Sequence, residues 1–417
     1  MKETKFKNTE IGRIPEDWEI GYFGDVLCTF SAGATPYRGI PDYYNGKINW
    51  ISSGELNYNV IYDTIEHISE EALRNTNLCL HAPGTFLMAI TGLEATGTRG
   101  KCAFVGVPST TNQSCLAING TNKMDIKYLY WYYRMYGDYL AFKYSQGTKQ
   151  QSFTATIVKN LPITYPKQVI EQHRIASALT SIDNLISSLG KLIEKKKNIK
   201  QGAMQQLLTG GTRLKGFDEP WMEHTIDELF DLGNGYTPSK SNPAYWTNGT
   251  IPWFRMEDIR TNGRILKDSI QHVTPEAVKG NGLYPKYSII LSTTATIGEH
   301  ALLIADSLAN QQFTFLNRKV NRRDMIDIIF FYHYCFILGK WCRDNINAGG
   351  LLAVNMDDLK NHSIYIPKSI AEQQAIATIL TKMDDEITAL EAKKAKYEAI
   401  KQGMMQQLLT GKIRLIS

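Results

Sequence analysis

Apolar residues recur along this chain at two different periods. Ile175, Leu179, Ile182, Ile186, Leu189 and Ile193 step by four and three in alternation, the spacing of a coiled-coil seam. Ile376, Leu380, Met383, Ile387 and Leu390 repeat the pattern, followed by Tyr397 after an interruption at Lys394. Each stretch begins after a proline (Pro166, Pro367) and ends at Thr-Gly (Thr209-Gly210, Thr410-Gly411). Proline is excluded from a helix interior, and glycine supplies a left-handed C-cap. The first pattern predicts a helix over about 171–208, roughly 57 Å long at 1.5 Å per residue. Such a stripe is too long to bury against one small domain, so the two helices are expected to pair with each other, antiparallel. Elsewhere, short apolar runs such as 84–90 and 287–292, bounded by Gly, Pro and Asn, predict strands. Each globular region also predicts one aromatic-rich helix, over 126–144 and 326–342. Tyr128, Leu129, Tyr132, Tyr133, Tyr136 and Leu140 fall at helical spacing, as expected for a helix packed on a sheet.

The two patterns are copies of one another. Ile199–Leu214 returns as Ile400–Leu415 with 13 of 16 positions identical, at an offset of 201. The same offset aligns Pro166-Lys167 with Pro367-Lys368, Glu171-Gln172 with Glu372-Gln373, and Asp183 with Asp384. The globular parts repeat more loosely. Trp18 aligns with Trp221, Gly33–Pro36 with Gly235–Pro238, Asn45-Gly46 with Asn248-Gly249, Trp50 with Trp253, and Thr111–Gln113 with Ala309–Gln311. About 15 N-terminal residues have no counterpart.

Composition excludes several classes. With 417 residues, 43% hydrophobic and 21% charged, the chain can build cores and is not disordered. It has no apolar run long enough for a transmembrane helix and no apolar leader, so a cytoplasmic protein without a membrane partner is expected. The net charge of +5 permits nucleic-acid binding without diagnosing it. The lysine-rich runs 191–200 and 393–401 are expected to face solvent. Six cysteines without a Cys-x-x-Cys pair, and eight histidines without ligand spacing, give no metal site. Asn242–Tyr245 approximates a base-holding Asn-Pro-Pro-Tyr loop, but its repeat counterpart, Ile40–Tyr43, lacks the asparagine. Gly92–Arg99 has P-loop glycines without the lysine and hydroxyl that hold phosphate and magnesium. No catalytic residues and no metal ligands are expected.

Two nearly identical helical segments suit two copies of one partner, and two diverged globular units suit two different targets. The layout resembles the specificity subunit of a type I restriction-modification enzyme. Gly-x-Thr-Pro opens each unit (Gly33–Pro36, Gly235–Pro238). Pro-x-x-x-x-Glu-Gln opens each long helix (Pro166–Gln172, Pro367–Gln373), and Gln-x-Leu-Leu-Thr-Gly closes it. The resemblance covers essentially the whole chain. It implies an α+β fold with two mixed α/β target recognition domains, joined by two long helices that form an antiparallel coiled-coil spacer with an internal pseudo-two-fold repeat. The expected boundaries are 1–167 and 212–368 for the recognition domains, with helices over 168–211 and 369–417.

The resemblance further implies a non-catalytic chain that reads a bipartite, asymmetric site on double-stranded DNA. It would dock two modification (adenine methyltransferase) subunits and, through them, restriction/translocase subunits. It implies no cofactor on this chain, with S-adenosylmethionine, ATP and Mg on the partners. The alternative is a self-sufficient methyltransferase or nuclease with duplicated readers. Candidate DNA-contacting residues in the first unit are Tyr37, Arg38, Arg99, Lys101, Thr148, Lys149, Gln150, Gln151 and Ser152. In the second they are Ser239, Lys240, Arg255, Arg260, Thr294, Thr296 and Asn347. Arginine suits guanine, glutamine suits adenine, and lysine suits phosphate. Gln201, Gln205, Gln206, Gln402, Gln406 and Gln407 are candidates for the partner interface.

Overall fold

The computed structural model describes residues 5–95, 97–147, 149–280, 282–347 and 352–416. The chain forms two compact units, Met1–Gly190 with Ala392–Ser417, and Lys191–Glu391. The expected boundaries separate globular regions from helices. The compact units instead divide both long helices, Val169–Leu207 and Ile370–Leu408, near their middles. The physical reason is visible in the cores. In the first unit Ile175, Ala176 and Leu179 from one helix join Leu408 and Leu409 from the other in a single cluster with the domain interior. In the second, Leu207 and Leu208 join Ile376, Ala377 and Leu380 in the same way.

Both units use one strand order. In the first, a five-stranded sheet runs Cys28–Ala32, Cys115–Asn119, Phe86–Ala89, Cys102–Val105, Val60–Ile61. In the second, it runs Phe230–Asn234, Phe313–Arg318, Ile289–Ser292, His300–Leu303, Ile265–Leu266. All neighbours are antiparallel except the last pair in each, which is parallel. A smaller mixed sheet is centred on Ile48–Ile51 in one unit and on Ile251–Phe254 in the other. A two-strand ladder, Trp18–Tyr22 with Pro162–Pro166 and Trp221–Thr225 with Ser363–Pro367, leads into each long helix.

The aromatic helices span Ile126–Tyr144 and Ile328–Asp344. The second starts two residues later than its apolar pattern predicts, because Asp327 caps it as Asp125 caps the first. Tyr128, Leu129, Tyr132, Tyr133 and Leu140 are buried and Tyr136 is half-buried. The Tyr128 and Tyr132 hydroxyls donate to the carbonyls of Thr164 (2.9 Å) and Pro162 (3.1 Å). The stripe is therefore core, at about 1.5–3 kcal/mol per buried large side chain. The residues without a repeat counterpart form a hairpin, Phe6–Thr9 with Gly12–Pro15, that buries Ile14 in the first core.

The helix motifs explain themselves within each unit. Gln172 accepts from the Asp125 backbone N–H (2.8 Å) and donates to the Lys123 and Pro166 carbonyls (2.9 Å each). Gln373 repeats this with Asp327 (2.8 Å), Met325 (2.9 Å) and Pro367 (2.8 Å). The neighbouring glutamates are buried and each takes two hydrogen bonds from an arginine just past the other helix. Arg414 serves Glu171 (2.7 and 2.8 Å), and Arg213 serves Glu372 (2.7 and 2.8 Å). Further along, Lys401 meets Asp183 (2.7 Å) in the first unit, while Lys200 meets Asp384 (2.5 Å) and Lys196 meets Glu386 (2.7 Å) in the second. As one helix advances its partner's numbering falls, so the pairing within each unit is antiparallel. Most lysines of the two runs face solvent as expected, Lys191, Lys195, Lys197, Lys393 and Lys396 among them; Lys200 and Lys401 depart, at 12% and 17% exposed, because they cross to the partner helix.

Candidate nucleic-acid interface

The repeated motifs of the globular regions build a brace rather than a reading surface. Thr35 donates to the Gln113 side-chain oxygen, and Thr237 to that of Gln311 at 2.6 Å. The Trp50 indole donates to the Ala34 carbonyl and the Trp253 indole to that of Tyr236, both at 2.9 Å. The first glycine of each Gly-x-Thr-Pro is required by close approach. A side chain at Gly33 would meet the Thr111 carbonyl oxygen at 1.9 Å, and one at Gly235 the Asn310 carbonyl oxygen at 2.1 Å. Each Gly-x-Thr-Pro loop is thus fastened to an Asn-Gln turn. The Asn242–Tyr245 stretch is a turn of the same scaffold, with the Asn242 side chain accepting from the Ala244 N–H.

Beside this brace, two further loops meet in each unit. In the first, Thr91 and Gln146 bridge Ser152, and the Leu93 N–H donates to the Gln151 carbonyl (3.0 Å). The Gln151 N–H in turn donates to Glu94 (2.8 Å). In the second, Thr294 bridges Ala353, the Val354 N–H donates to the Thr293 carbonyl (2.9 Å), and the Asn347 N–H to that of Ala353 (3.1 Å). Gln312, next to the bracing Gln311, donates to the Thr296 hydroxyl at 2.8 Å. The Asn-Gln turn of the second unit therefore joins the Gly-x-Thr-Pro loop to the loop pair.

The structure thus brings Arg99, Lys101, Lys149, Gln150, Gln151 and Ser152 to one loop pair, and Thr294, Thr296 and Asn347 to its counterpart. Tyr37 and Arg38, and Ser239 and Lys240, lie on the braced loops instead. Arg255 and Arg260 belong to a third place, the start and body of the helix Met256–Asn262. Thr148 lies outside the described residues. Tyr37, Lys149, Gln150, Lys240, Arg260 and Asn347 are exposed. Lys101 donates to Asn57 (2.8 Å), and Ser239 hydrogen-bonds Ser241 (2.8 Å). Gln201, Gln205, Gln206, Gln402 and Gln406 are exposed on the long helices, and Gln407 is half-buried.

Several of the candidate arginines have partners that sequence reasoning missed. Arg38 forms two hydrogen bonds with Glu66 (2.5 and 2.8 Å) while its guanidinium lies over the Tyr44 ring. The paired guanidinium lowers the Glu66 carboxyl from its ordinary value. Arg99 donates to Asp138 (2.6 Å), and Arg255 pairs with Glu257 (3.1 Å). Glu66 and Asp138 lie 28 and 39 residues from their arginines, beyond any local spacing rule. The Arg38–Glu66 pair is solvent-exposed and adds little to stability. Among the described residues no cluster of three or more His, Cys, Asp or Glu has metal-site geometry, and no helix is long and apolar enough to cross a membrane.

Comparison with known proteins assigns this architecture. The profile of the type I restriction modification DNA specificity domain matches residues 15–200 and again 218–402. The chain is 28% identical over 440 aligned positions to a putative type I restriction enzyme MjaX specificity subunit of Methanocaldococcus jannaschii, covering 99% of this chain and 98% of the relative. It is 47% identical over 175 residues to the type I restriction enzyme EcoprrI specificity subunit of Escherichia coli, a match spanning 40% of this chain and 43% of that relative. Among solved structures, the S subunit of a type I restriction-modification system from M. genitalium aligns with a TM-score of 0.61 at 15% identity, covering 97% of this chain and 98% of that one. A chain from a structure of type I R-M complex assembly and conformational transition aligns with a TM-score of 0.59 at 16% identity, covering 96% and 99%. The two structural matches carry the fold alone. With both halves matched in turn, the chain belongs to the type I restriction-modification DNA specificity family, as a non-catalytic DNA-recognition subunit.

Proposed function

We propose that the two units read the two halves of a bipartite, asymmetric site on double-stranded DNA, one half each, in a chain that works in the cytoplasm. The observation that carries this reading is the division of labour inside each unit. The brace residues are the same in both, whereas the loops fastened to it present Lys149, Gln150 and Gln151 in one and Thr294, Thr296 and Asn347 in the other. Different loops on one scaffold read different bases. The long helices, with Gln201, Gln205 and Gln206 and their counterparts Gln402, Gln406 and Gln407, dock two modification subunits and, through them, restriction subunits. S-adenosylmethionine, ATP and Mg reside on those partners, and this chain binds none of them.

Assembling the chain with modification subunits and S-adenosylmethionine, then mapping methylated adenines, tests the reading. The expected result is a split target in which Gln150→Ala relaxes one half only, by about 1–3 kcal/mol at a base pair. A continuous target, or relaxation in both halves, overturns it. The pure chain incubated with labelled S-adenosylmethionine and DNA transfers no methyl group; transfer by the chain alone favours the self-sufficient enzyme.

A further inference from the structure

The second unit contains an open groove of about 680 Å³ between the central long helix and the aromatic helix. Four cations line it, Lys197, Lys200, Lys340 and Arg343, with one carboxylate, Asp384. Two of the four are committed: Lys197 pairs with Glu391 (2.7 Å) and Lys200 with Asp384 (2.5 Å). Lys340 and Arg343 are exposed and have no ion-pair partner among the described residues. Phe336 and Met204 also line the groove, and the Lys200 ammonium lies 5.1 Å from the Phe336 ring centre.

The internal repeat provides the control. Gly100 and Gly298 both approach the aromatic helix of their unit, at Gly137-Asp138 and at Gly339. That contact aligns Lys340 with Asp138, Arg343 with Ala141 and Phe336 with Arg134. Lys197, Lys200 and Asp384 align with Glu398, Lys401 and Asp183. The first unit therefore holds three carboxylates and two cations at these positions, and satisfies them internally. Asp183 takes both Lys401 (2.7 Å) and Arg134 (3.0 Å), and Asp138 takes Arg99 (2.6 Å). Among the described residues, the second unit leaves positive charge uncompensated here and the first does not.

The charge borders the reading loops. A side chain at Gly298, which ends the Thr294–Gly298 turn, would meet the Gly339 carbonyl oxygen at 2.2 Å and the Arg343 guanidinium at 2.5 Å. We propose that this groove is a phosphodiester clamp: Lys340 and Arg343 hold DNA backbone phosphates flanking the half-site read by the second unit, a grip without counterpart in the first. The inference rests on the proposed DNA role. Its ligand chemistry follows from two unpaired cations beside base-reading loops, since such contacts position a duplex without reading it. An acidic segment of a modification subunit is the competing occupant, because Gln201 and Gln205 form the opposite wall.

The test uses the full chain assembled with modification subunits, a duplex carrying the mapped target and a scrambled duplex, each titrated across a salt series. Binding of the target by the unaltered complex, above the scrambled duplex, establishes the DNA role independently of the clamp; its absence means that the underlying reading has failed. Lys340→Ala with Arg343→Ala should lower the slope of log affinity against log salt by about 2, weaken both duplexes about tenfold, and leave their ratio unchanged. Lys340→Arg with Arg343→Lys should restore the slope. An unchanged slope with affinity within twofold overturns the clamp. Loss of the target-to-scrambled ratio also overturns it, by making these residues base readers. Loss of a modification subunit from the complex, measured by mass, overturns it in favour of the acidic partner.

Discussion

Where the first unit places Trp131, the second places His333, and the two perform one task. The Trp131 indole donates to Thr180 (3.0 Å), and His333 Nε2 hydrogen-bonds Thr381 (3.1 Å). Likewise Cys102 at the start of one sheet strand stands where His300 starts the other. The scaffold therefore accepts a histidine at each of these two buried positions. The two substitutions leave the fold alike and make its response to acid unlike. Burial holds His300 and His333 down to about 3, with the Arg264 charge adding to the first and the Lys200 charge to the second. The first unit has one such histidine, His81, which burial also lowers, and a half-buried carboxylate, Asp183. Burial alone would raise its carboxyl, but the Lys401 hydrogen bond and the Arg134 charge outweigh that and lower it.

The largest effect that would sharpen this comparison comes from opening the glutamate clasps. Arg414→Ala leaves Glu171 as a buried charge without its counter-ion, at an expected cost of about 3–5 kcal/mol. Arg213→Ala does the same to Glu372 but costs less, because Arg414 also donates two hydrogen bonds to Asp17 (2.7 Å each), which its removal breaks as well. Denaturant unfolding of both variants, followed by hydrogen exchange to identify the affected unit, checks the order; equal losses would mean the clasps are equivalent.

Acid comes next. Both histidines are neutral in the folded second unit, whereas the unfolded chain binds protons below about 6.5. Stability is therefore complete above that pH and is lost as pH falls toward 3, at up to about 1.4 kcal/mol per pH unit for each histidine. In the first unit His81, lowered by burial, acts over the same range with the same sign, and the lowered Asp183 contributes stability that is present above about pH 4 and lost as pH falls below that. Thermal unfolding between pH 7 and 4.5 should show the second unit weakening more steeply, because His300, His333 and His362 are lowered there against His81 in the first, and His333→Gln should remove about one proton from the slope. Parallel weakening of both units would break the comparison. A smaller and equal effect is expected from Gln172→Leu and Gln373→Leu, about 1–3 kcal/mol each for the buried backbone groups left unpaired. The smallest stability change belongs to an insertion of four residues after Gly190 together with four after Glu391. Every clasp lies within one unit, so both should survive while the mapped unread gap lengthens; altered half-sequences would count against a ruler role for the helices.

Much of this was legible in the sequence because periodicity and repetition report local geometry. The 4-3 spacing located both long helices, the repeated prolines and Thr-Gly pairs their ends, and the aromatic stripe its burial. What the signature motifs do was not legible. Gly33 and Thr35 meet Thr111 and Gln113, and Glu171 meets Arg414, across separations no local rule spans. Most lysines of the two runs are exposed, as their composition suggests; Lys200 departs for the same reason, drawn in by its partner Asp384. Loop chemistry was visible as residue types, but which arginines are already tied to carboxylates was not.

The first unit is assembled from two segments separated by the whole of the second, and this dictates an order of birth. As the protein leaves the ribosome, residues 1–190 emerge first but lack Leu408, Leu409 and Arg414, which complete their core and neutralise Glu171. The second unit is contiguous and can close as soon as Glu391 is free. The first-made part thus waits through residues 191–414 for Arg414, about 10–45 s at ordinary synthesis rates, and closes after the second unit. A chain terminated before residue 392 would carry a complete second unit and an open first one, with Ile175 and Leu179 uncovered, a form that proteases and chaperones can tell from the finished molecule.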